Sequence, residues 1–197
     1  FLAGGDLVMI LIFGALASIV LGIGMTVSAC YIFLAIVLAP AIIEGGINPL
    51  AAHLYVLYWG VLSFITPPVA IAAITASSIA NTSALKTGFL SMRLGSILFF
   101  LPVLFVFDPA MLMQGDVINI LASFSMAVFA IIIISSGFEG YIYFLGKINN
   151  VFRILCFISG ILLLIPNIIS KTVGFGILIV MLLLLLFIRF YKKSNYT

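Results

Sequence analysis

Long apolar stretches alternate with short groups of glycine, proline and polar residues along the chain. A helix needs about 20 mostly apolar residues to cross the hydrocarbon core of a bilayer. In the second half of the chain, four stretches are long enough to predict membrane helices. They cover residues 88–107, 117–136, 151–169 and 174–190.

The apolar stretches in the first half are shorter and come in two pairs, each divided by a helix-breaking sequence. The pairs are 7–22 with 28–43, and 50–65 with 69–80. Residues 22–27 divide the first pair, and Thr66-Pro67-Pro68 divides the second. Interrupted helices at membrane depth are tolerated only where their irregular backbone is buried in protein or lines a cavity. The pattern therefore predicts broken helices in two consecutive segments.

The first pair favours a re-entrant helical hairpin. Each arm has 16 residues and reaches about 24 Å as a helix, which passes the bilayer midplane but falls short of a comfortable crossing. Two short full spans joined by a tight turn would also begin and end on one side, and they remain the alternative. The second pair, 50–80, is expected to be one interrupted crossing.

Lys and Arg residues set the predicted orientation, because they collect on the cytoplasmic side of membrane proteins. If Lys192 and Lys193 lie in the cytoplasm, every Lys and Arg except Lys171 falls on that side. The sequence therefore predicts a multi-pass protein with a cytoplasmic C-terminus. Between two of the predicted spans, residues 137–147 carry aromatic and aliphatic side chains at helical spacing. We expect either an interfacial amphipathic helix or an aromatic-rich loop there.

The composition excludes several classes of protein. Of the residues, 65% are hydrophobic and 7% are charged, and the mean hydropathy is +1.46. A soluble domain has about 25% charged residues, so this composition excludes a soluble globular protein. A disordered chain has low hydrophobicity and high charge, so that class is excluded as well. The net charge is +3, but the positive residues do not form a basic run, which excludes nucleic acid as a partner. Cys30 and Cys156 lie far apart in apolar stretches and are expected to be buried residues, so neither a disulfide nor a metal site is predicted.

The predicted breaks are rich in oxygen atoms. The C-terminal end of a broken helix presents carbonyl oxygens that suit a small cation, and an N-terminal end presents N–H groups that suit an anion. The prolines are expected to leave carbonyls of the preceding turn unpaired. A sodium-type cation is the predicted ligand, with Gly22, Gly24, Thr26, Ser28, Thr66, Pro67 and Pro68 as the candidate residues. Candidates on the substrate side are Ser63, His53 and Thr75.

Catalytic chemistry finds little support in the sequence. No Asp or Glu falls at the predicted membrane depth, which argues against a carboxylate proton relay. His53 is the single histidine, and an interfacial or packed position is expected for it, with contact to substrate or to a binding protein as the alternative. An intramembrane enzyme is therefore disfavoured. A channel or a structural bundle subunit without coupled transport remains the alternative to a transporter.

Two segments resemble the permeases of tripartite ATP-independent periplasmic (TRAP) transporters. The stretch from Gly22 to Pro40 resembles the hairpin of their second repeat, and the stretch from Asn48 to Ala73, with Thr66-Pro67-Pro68, resembles the interrupted helix that follows. Lys86 to Phe89, Arg93 to Gly95 and Leu101 to Pro109 continue the match. Thr26 and Val27 depart from the family, which commonly has Pro and Thr there.

The resemblance covers about residues 1–115 and is closest to the large fused permeases that work with a TAXI-class binding protein. It implies an elevator-type, sodium-coupled importer in the bacterial inner membrane, with its second inverted repeat at 1–115 and further membrane helices at 116–197. An extracytoplasmic solute-binding protein would deliver an organic acid, such as a dicarboxylate or an amino-acid-like anion. A first repeat and a small permease domain would complete the system, so the chain is expected to be the C-terminal part of a longer permease.

Overall fold

The computed structural model describes the backbone of residues 6–143 and 145–194, and the side chains as far as Phe187. Within this part of the chain, nearly all regular structure is helical, and the only strands are two residues long. The helices are α1 Leu7–Gly22, α2 Val27–Val37, α3 Ala39–Glu44, α4 Pro49–Leu62, α5 Ile71–Ile79, α6 Ala84–Leu94, α7 Leu101–Phe107, α8 Val117–Glu139, α9 Asn150–Leu164 and α10 Ile168–Ser194. The protein is therefore an all-α membrane protein, as predicted.

The chain divides into two compact units, one up to Met113 and the other from Gln114. In the first unit, α1 and α4 pack around a core that includes Leu11, Ala15, Tyr55 and Val56. The hydroxyl of Tyr55 donates a hydrogen bond to the carbonyl of Leu11 at 2.6 Å. Residues early in α1 therefore lie beside residues early in α4.

Both predicted breaks are present in the first unit. The helix of the first arm ends at Gly22, and α2 begins at Val27. In the second pair, α4 ends at Leu62 and α5 begins at Ile71, so the break is longer than the Thr66-Pro67-Pro68 sequence suggests. The second arm is also interrupted at Leu38, between α2 and α3, and Pro40 in the first turn of α3 has no N–H to donate to the hydrogen-bond ladder of α2.

A third break contradicts the prediction of a continuous helix over 88–107. The chain bends by 67° between α6 and the segment Ser96–Phe107, which opens with a short 3-10 turn at Ser96–Phe99. Gly95 caps the end of α6, and Pro102 occupies the first turn of α7. Proline favours the first turn of a helix, where its missing N–H costs nothing. The length of the stretch 88–107 suits a single span, and this concealed the bend although Gly95, Ser96 and Pro102 lie within the stretch.

The second unit consists of α8, a short hairpin, α9 and α10. Two helices of the described residues, Val117–Glu139 and Ile168–Phe187, are long and apolar enough by themselves to cross a membrane. The predicted span 151–169 is shorter in the structure, because α9 ends at Leu164 before Pro166. The predicted span 174–190 starts earlier than expected, because α10 begins at Ile168 after Asn167, whose side chain accepts a hydrogen bond from the Ile169 N–H.

The interfacial helix considered for residues 137–147 is not formed. Helix α8 continues to Glu139 and ends at Gly140, which has a φ of 66°. Strand β1 (Tyr141–Ile142) then pairs with strand β2 (Gly146–Lys147) in antiparallel fashion. The left-handed backbone of Gly140 ends the helix. Glycine adopts this conformation without steric cost.

Candidate functional site

The first break ends α1 and reverses the chain. The N–H of Ile23 bonds to the Val20 carbonyl at 3.2 Å, which tightens the last turn of α1. Gly24 has a φ of 80° and supplies the left-handed backbone that the reversal needs. Thr26 then caps α2, because its hydroxyl oxygen accepts a hydrogen bond from the Ala29 N–H at 3.3 Å.

The second break begins with a tightened end of α4. The N–H groups of Ser63, Phe64 and Ile65 each bond to the carbonyl three residues earlier. The Thr66 hydroxyl donates to the Leu62 carbonyl at 2.6 Å. The carbonyls of this turn therefore lie close together at one helix end, although most of them are already engaged.

The expectation that the prolines leave the preceding carbonyls unpaired is wrong at Phe64. Neither Pro67 nor Pro68 has an N–H to donate, but the chain folds back so that the Ala72 N–H bonds to the Phe64 carbonyl at 3.1 Å. A carbonyl oxygen has two lone pairs. The bond from Ala72 therefore leaves the Phe64 oxygen able to accept a second interaction.

The two breaks meet at Ser63. Its hydroxyl lies 3.0 Å from the Gly22 carbonyl and 2.8 Å from the Gly60 carbonyl, and the side chain is 3% exposed. A Cβ on Gly22 would lie 2.6 Å from the Gly60 oxygen and 2.8 Å from the Ser63 hydroxyl. Only glycine allows this approach of α1 to α4 without movement of the backbone.

The contact brings together the C-terminal ends of two helices. Each such end carries about half a negative charge from its last carbonyls. Ser63 and Thr66 add hydroxyl oxygens at the same end of α4. Among the described residues, no group of three or more His, Cys, Asp or Glu side chains could hold a metal ion. The partial negative charge of these two helix ends belongs to main-chain carbonyls.

Other predicted cation residues lie around this contact without joining it. Gly24 faces open space, and Ser28 is exposed on the first turn of α2. Pro67 is half-buried and Pro68 is exposed. The structure therefore connects Gly22 with Ser63, which the sequence placed on the substrate side, and leaves the remaining candidates at the rims of the two breaks.

His53 and Thr75 lie away from the contact. The Nδ1 atom of His53 is 3.2 Å from the Tyr31 hydroxyl, and His53 is ten residues before Ser63, or about 15 Å along α4. The Thr75 hydroxyl is exposed and donates to the Ile71 carbonyl of its own helix. Both side chains therefore have hydrogen-bond partners other than the groups of the contact.

Sequence reasoning missed the part played by Gly60. Its carbonyl accepts a hydrogen bond from the Ser63 hydroxyl, and a Cβ on Gly60 would lie 2.9 Å from the sulfur of Cys30. A lone glycine between Trp59 and Val61 was the available signal, because glycine inside a helix often marks a close approach of another segment.

The family model described as "Tripartite ATP-independent periplasmic transporter, DctM component" matches residues 2–120. No curated protein matches the chain, and no solved structure does. The matched range contains both predicted helix breaks.

Proposed function

Because the chain belongs to the DctM family of tripartite ATP-independent periplasmic transporters, we propose that this permease component imports an organic acid together with sodium. Membership of this family makes the chain a membrane-embedded component of a transporter. The finer parts of the proposal are the coupling ion, the class of substrate and the partner that delivers it.

The observation that carries the proposal is the contact of Ser63 with the Gly22 carbonyl. It joins the carbonyl ends of α1 and α4, and neither of these two helices contains an Asp or Glu. Sodium is a small, hard cation, and broken membrane helices coordinate such ions through unwound carbonyls and helix C-terminal ends. We propose that Gly22, Ser63 and Thr66 form the centre of the cation site, with Gly24, Thr26 and Ser28 at its rim.

Each break also supplies a helix N-terminus for the substrate. Helix α2 begins at Val27 and α5 begins at Ile71, and both starts lie next to the proposed cation site in the chain. The partial positive charge at a helix N-terminus favours anionic groups. An organic acid anion is therefore the substrate class that we propose, in the range of dicarboxylates and amino-acid-like anions.

The remaining proposals follow from the family. An extracytoplasmic solute-binding protein would deliver the anion, and a first repeat and a small permease domain would complete the transporter. We place the system in the bacterial inner membrane, with the TAXI-associated type as the expected subclass. Transport is expected of the complete permease and not of these 197 residues alone.

The test is substrate uptake by the full-length permease in proteoliposomes, with the binding protein present. Ser63→Ala removes the hydroxyl between the two breaks. We expect the sodium concentration for half-maximal uptake to rise about tenfold, because a hydrogen bond in a charged site contributes about 1.5 kcal/mol and 1.4 kcal/mol corresponds to a factor of ten.

The matched control is Ser18→Ala. Ser18 is buried like Ser63, but its hydroxyl donates to the Gly14 carbonyl of its own helix. An equal sodium dependence in both variants would contradict the proposed site. Uptake that does not saturate and does not depend on sodium would instead favour a channel.

A further inference from the structure

Helix α6 packs one face against the second break. Gly88, Ser91 and Gly95 are three and four residues apart, so they share one side of the helix. A Cβ on Gly88 would lie 2.9 Å from the Cγ atom of Pro67 and 3.6 Å from the Cβ atom of Ala70. A Cβ on Gly95 would lie 2.7 Å from the Cδ1 atom of Ile65. The missing side chains let α6 touch the unwound turn at both of its ends.

Ser91 adds a polar contact at the middle of this face. Its hydroxyl lies 2.9 Å from the Gly88 carbonyl of its own helix and 3.3 Å from the Ile65 carbonyl of the break. A hydroxyl has one proton, so it donates to one of these oxygens at a time. The Ser91 hydroxyl can therefore donate to the Ile65 carbonyl or rotate to the Gly88 carbonyl, and it keeps one hydrogen bond in either position.

The backbone of the break is short of donors and contains one unfavourable conformation. Residues Pro67 and Pro68 supply no N–H, and Ala70 has a φ of 34°, which is unfavourable for a residue with a side chain. Such a conformation persists where the surrounding structure holds it in place. Gly88 and Gly95 on this face of α6 approach Ile65, Pro67 and Ala70 closely.

We propose that this face of α6 holds the second break in its unwound form and that Ser91 is a positioning residue for the Ile65 carbonyl. The consequence for sodium affinity rests on the function proposed above. The proposal that α6 holds the break in its unwound form does not rest on that function, because it concerns only the local structure of the break. Ser91 acts through Ile65 and is not assigned as a ligand.

Hydrogen exchange tests the structural part in the full-length permease reconstituted in nanodiscs without sodium. The peptide covering 63–72 contains the Ala70 and Ala72 N–H groups, which are bonded to Thr66 and Phe64. In Ser91→Ala, we expect faster exchange of this peptide, by about three- to tenfold, the range for loss of one hydrogen bond. In Gly88→Ala, we also expect faster exchange, because the new Cβ would lie 2.9 Å from the Cγ atom of Pro67 and push α6 away from the break. Ser91→Thr keeps a hydroxyl and should restore the slow exchange.

Ser125→Ala is the matched control, because the Ser125 hydroxyl makes the same bond to a carbonyl three residues earlier, Ala122, at 2.9 Å. Unchanged exchange of 63–72 in both Ser91→Ala and Gly88→Ala would overturn the proposal. In uptake assays, Ser91→Ala should raise the sodium concentration for half-maximal uptake while the maximal rate is kept. Absence of sodium dependence in the unmodified permease would refute the coupling and leave the exchange result to decide on α6.

Discussion

A single buried hydroxyl links the two interrupted segments of this transporter component. Ser63 reaches the carbonyls of Gly22 and Gly60, and the close approach depends on the absence of a side chain at Gly22. An unpaired polar group in a membrane interior costs several kcal/mol. The hydroxyl therefore fixes the relative position of two helix ends whose carbonyls would otherwise lack part of their partners.

Gly22→Ala is predicted to separate the two breaks. The new Cβ would lie 2.6 Å from the Gly60 oxygen, which is main chain and cannot rotate away. We expect a lower thermal unfolding midpoint and a sodium requirement raised about tenfold or more, since overpacking typically costs about 1–3 kcal/mol.

Gly176→Ala provides the comparison, because a Cβ there meets nothing within 4 Å. Alanine favours a helix over glycine by about 1 kcal/mol, so this variant should unfold at the same temperature or a higher one. If Gly22→Ala behaves like Gly176→Ala, the contact at Ser63 is not as close as described.

Individual helices differ in how strongly their ends are marked in the sequence. The breaks after Gly22 and at Thr66-Pro67-Pro68 could be predicted, because glycine, proline and hydroxyl residues interrupt the apolar pattern there. The bend after Gly95 was not predicted, because the stretch 88–107 has the length of one membrane span, although Gly95, Ser96 and Pro102 stand within it. The contact of Ser63 with Gly22 was also out of reach, since it depends on how α1 packs beside α4.

The end of α8 is held by a residue from the next helix. Arg153 donates from its Nε atom to the Gly137 carbonyl and from an Nη atom to the Phe138 carbonyl, both at 2.9 Å. These are carbonyls of the last turn of α8, where a cation is favourable. The sequence suggested a cytoplasmic location for Arg153 but not this bridging role.

Arg153→Ala is predicted to destabilise the second unit. Hydrogen bonds to a charged group contribute about 1.5–3 kcal/mol, so the unfolding midpoint should fall by several degrees for a domain of this size. Lys147→Ala removes the same charge from an exposed position nearby in the chain and should change the midpoint little. Equal midpoints for the two variants would contradict the bridging role.

The molecule as a whole combines a first unit that lies within the family match with a second unit of which only the start is matched. The charge pattern predicts its orientation in the membrane, with Lys147 inside and Asp116 and Lys171 outside. This prediction depends on counting crossings through α8, α9 and α10.

Cysteine labelling of the full-length permease in intact cells tests the orientation. In a variant without Cys30 and Cys156, a membrane-impermeant thiol reagent should label Asp116→Cys and Lys171→Cys from outside. Lys147→Cys should react only after the membrane is permeabilised. Labelling of Lys147→Cys in intact cells would reverse the proposed topology.

The central proposal is that sodium binds where the carbonyl ends of α1 and α4 meet. Equilibrium binding of radioactive sodium to the purified full-length permease measures this directly, without substrate or binding protein. We predict saturable binding that potassium does not displace and that Ser63→Ala weakens about tenfold while Ser18→Ala leaves it unchanged. No saturable binding, or equal binding by Ser63→Ala and the unmodified permease, would contradict it.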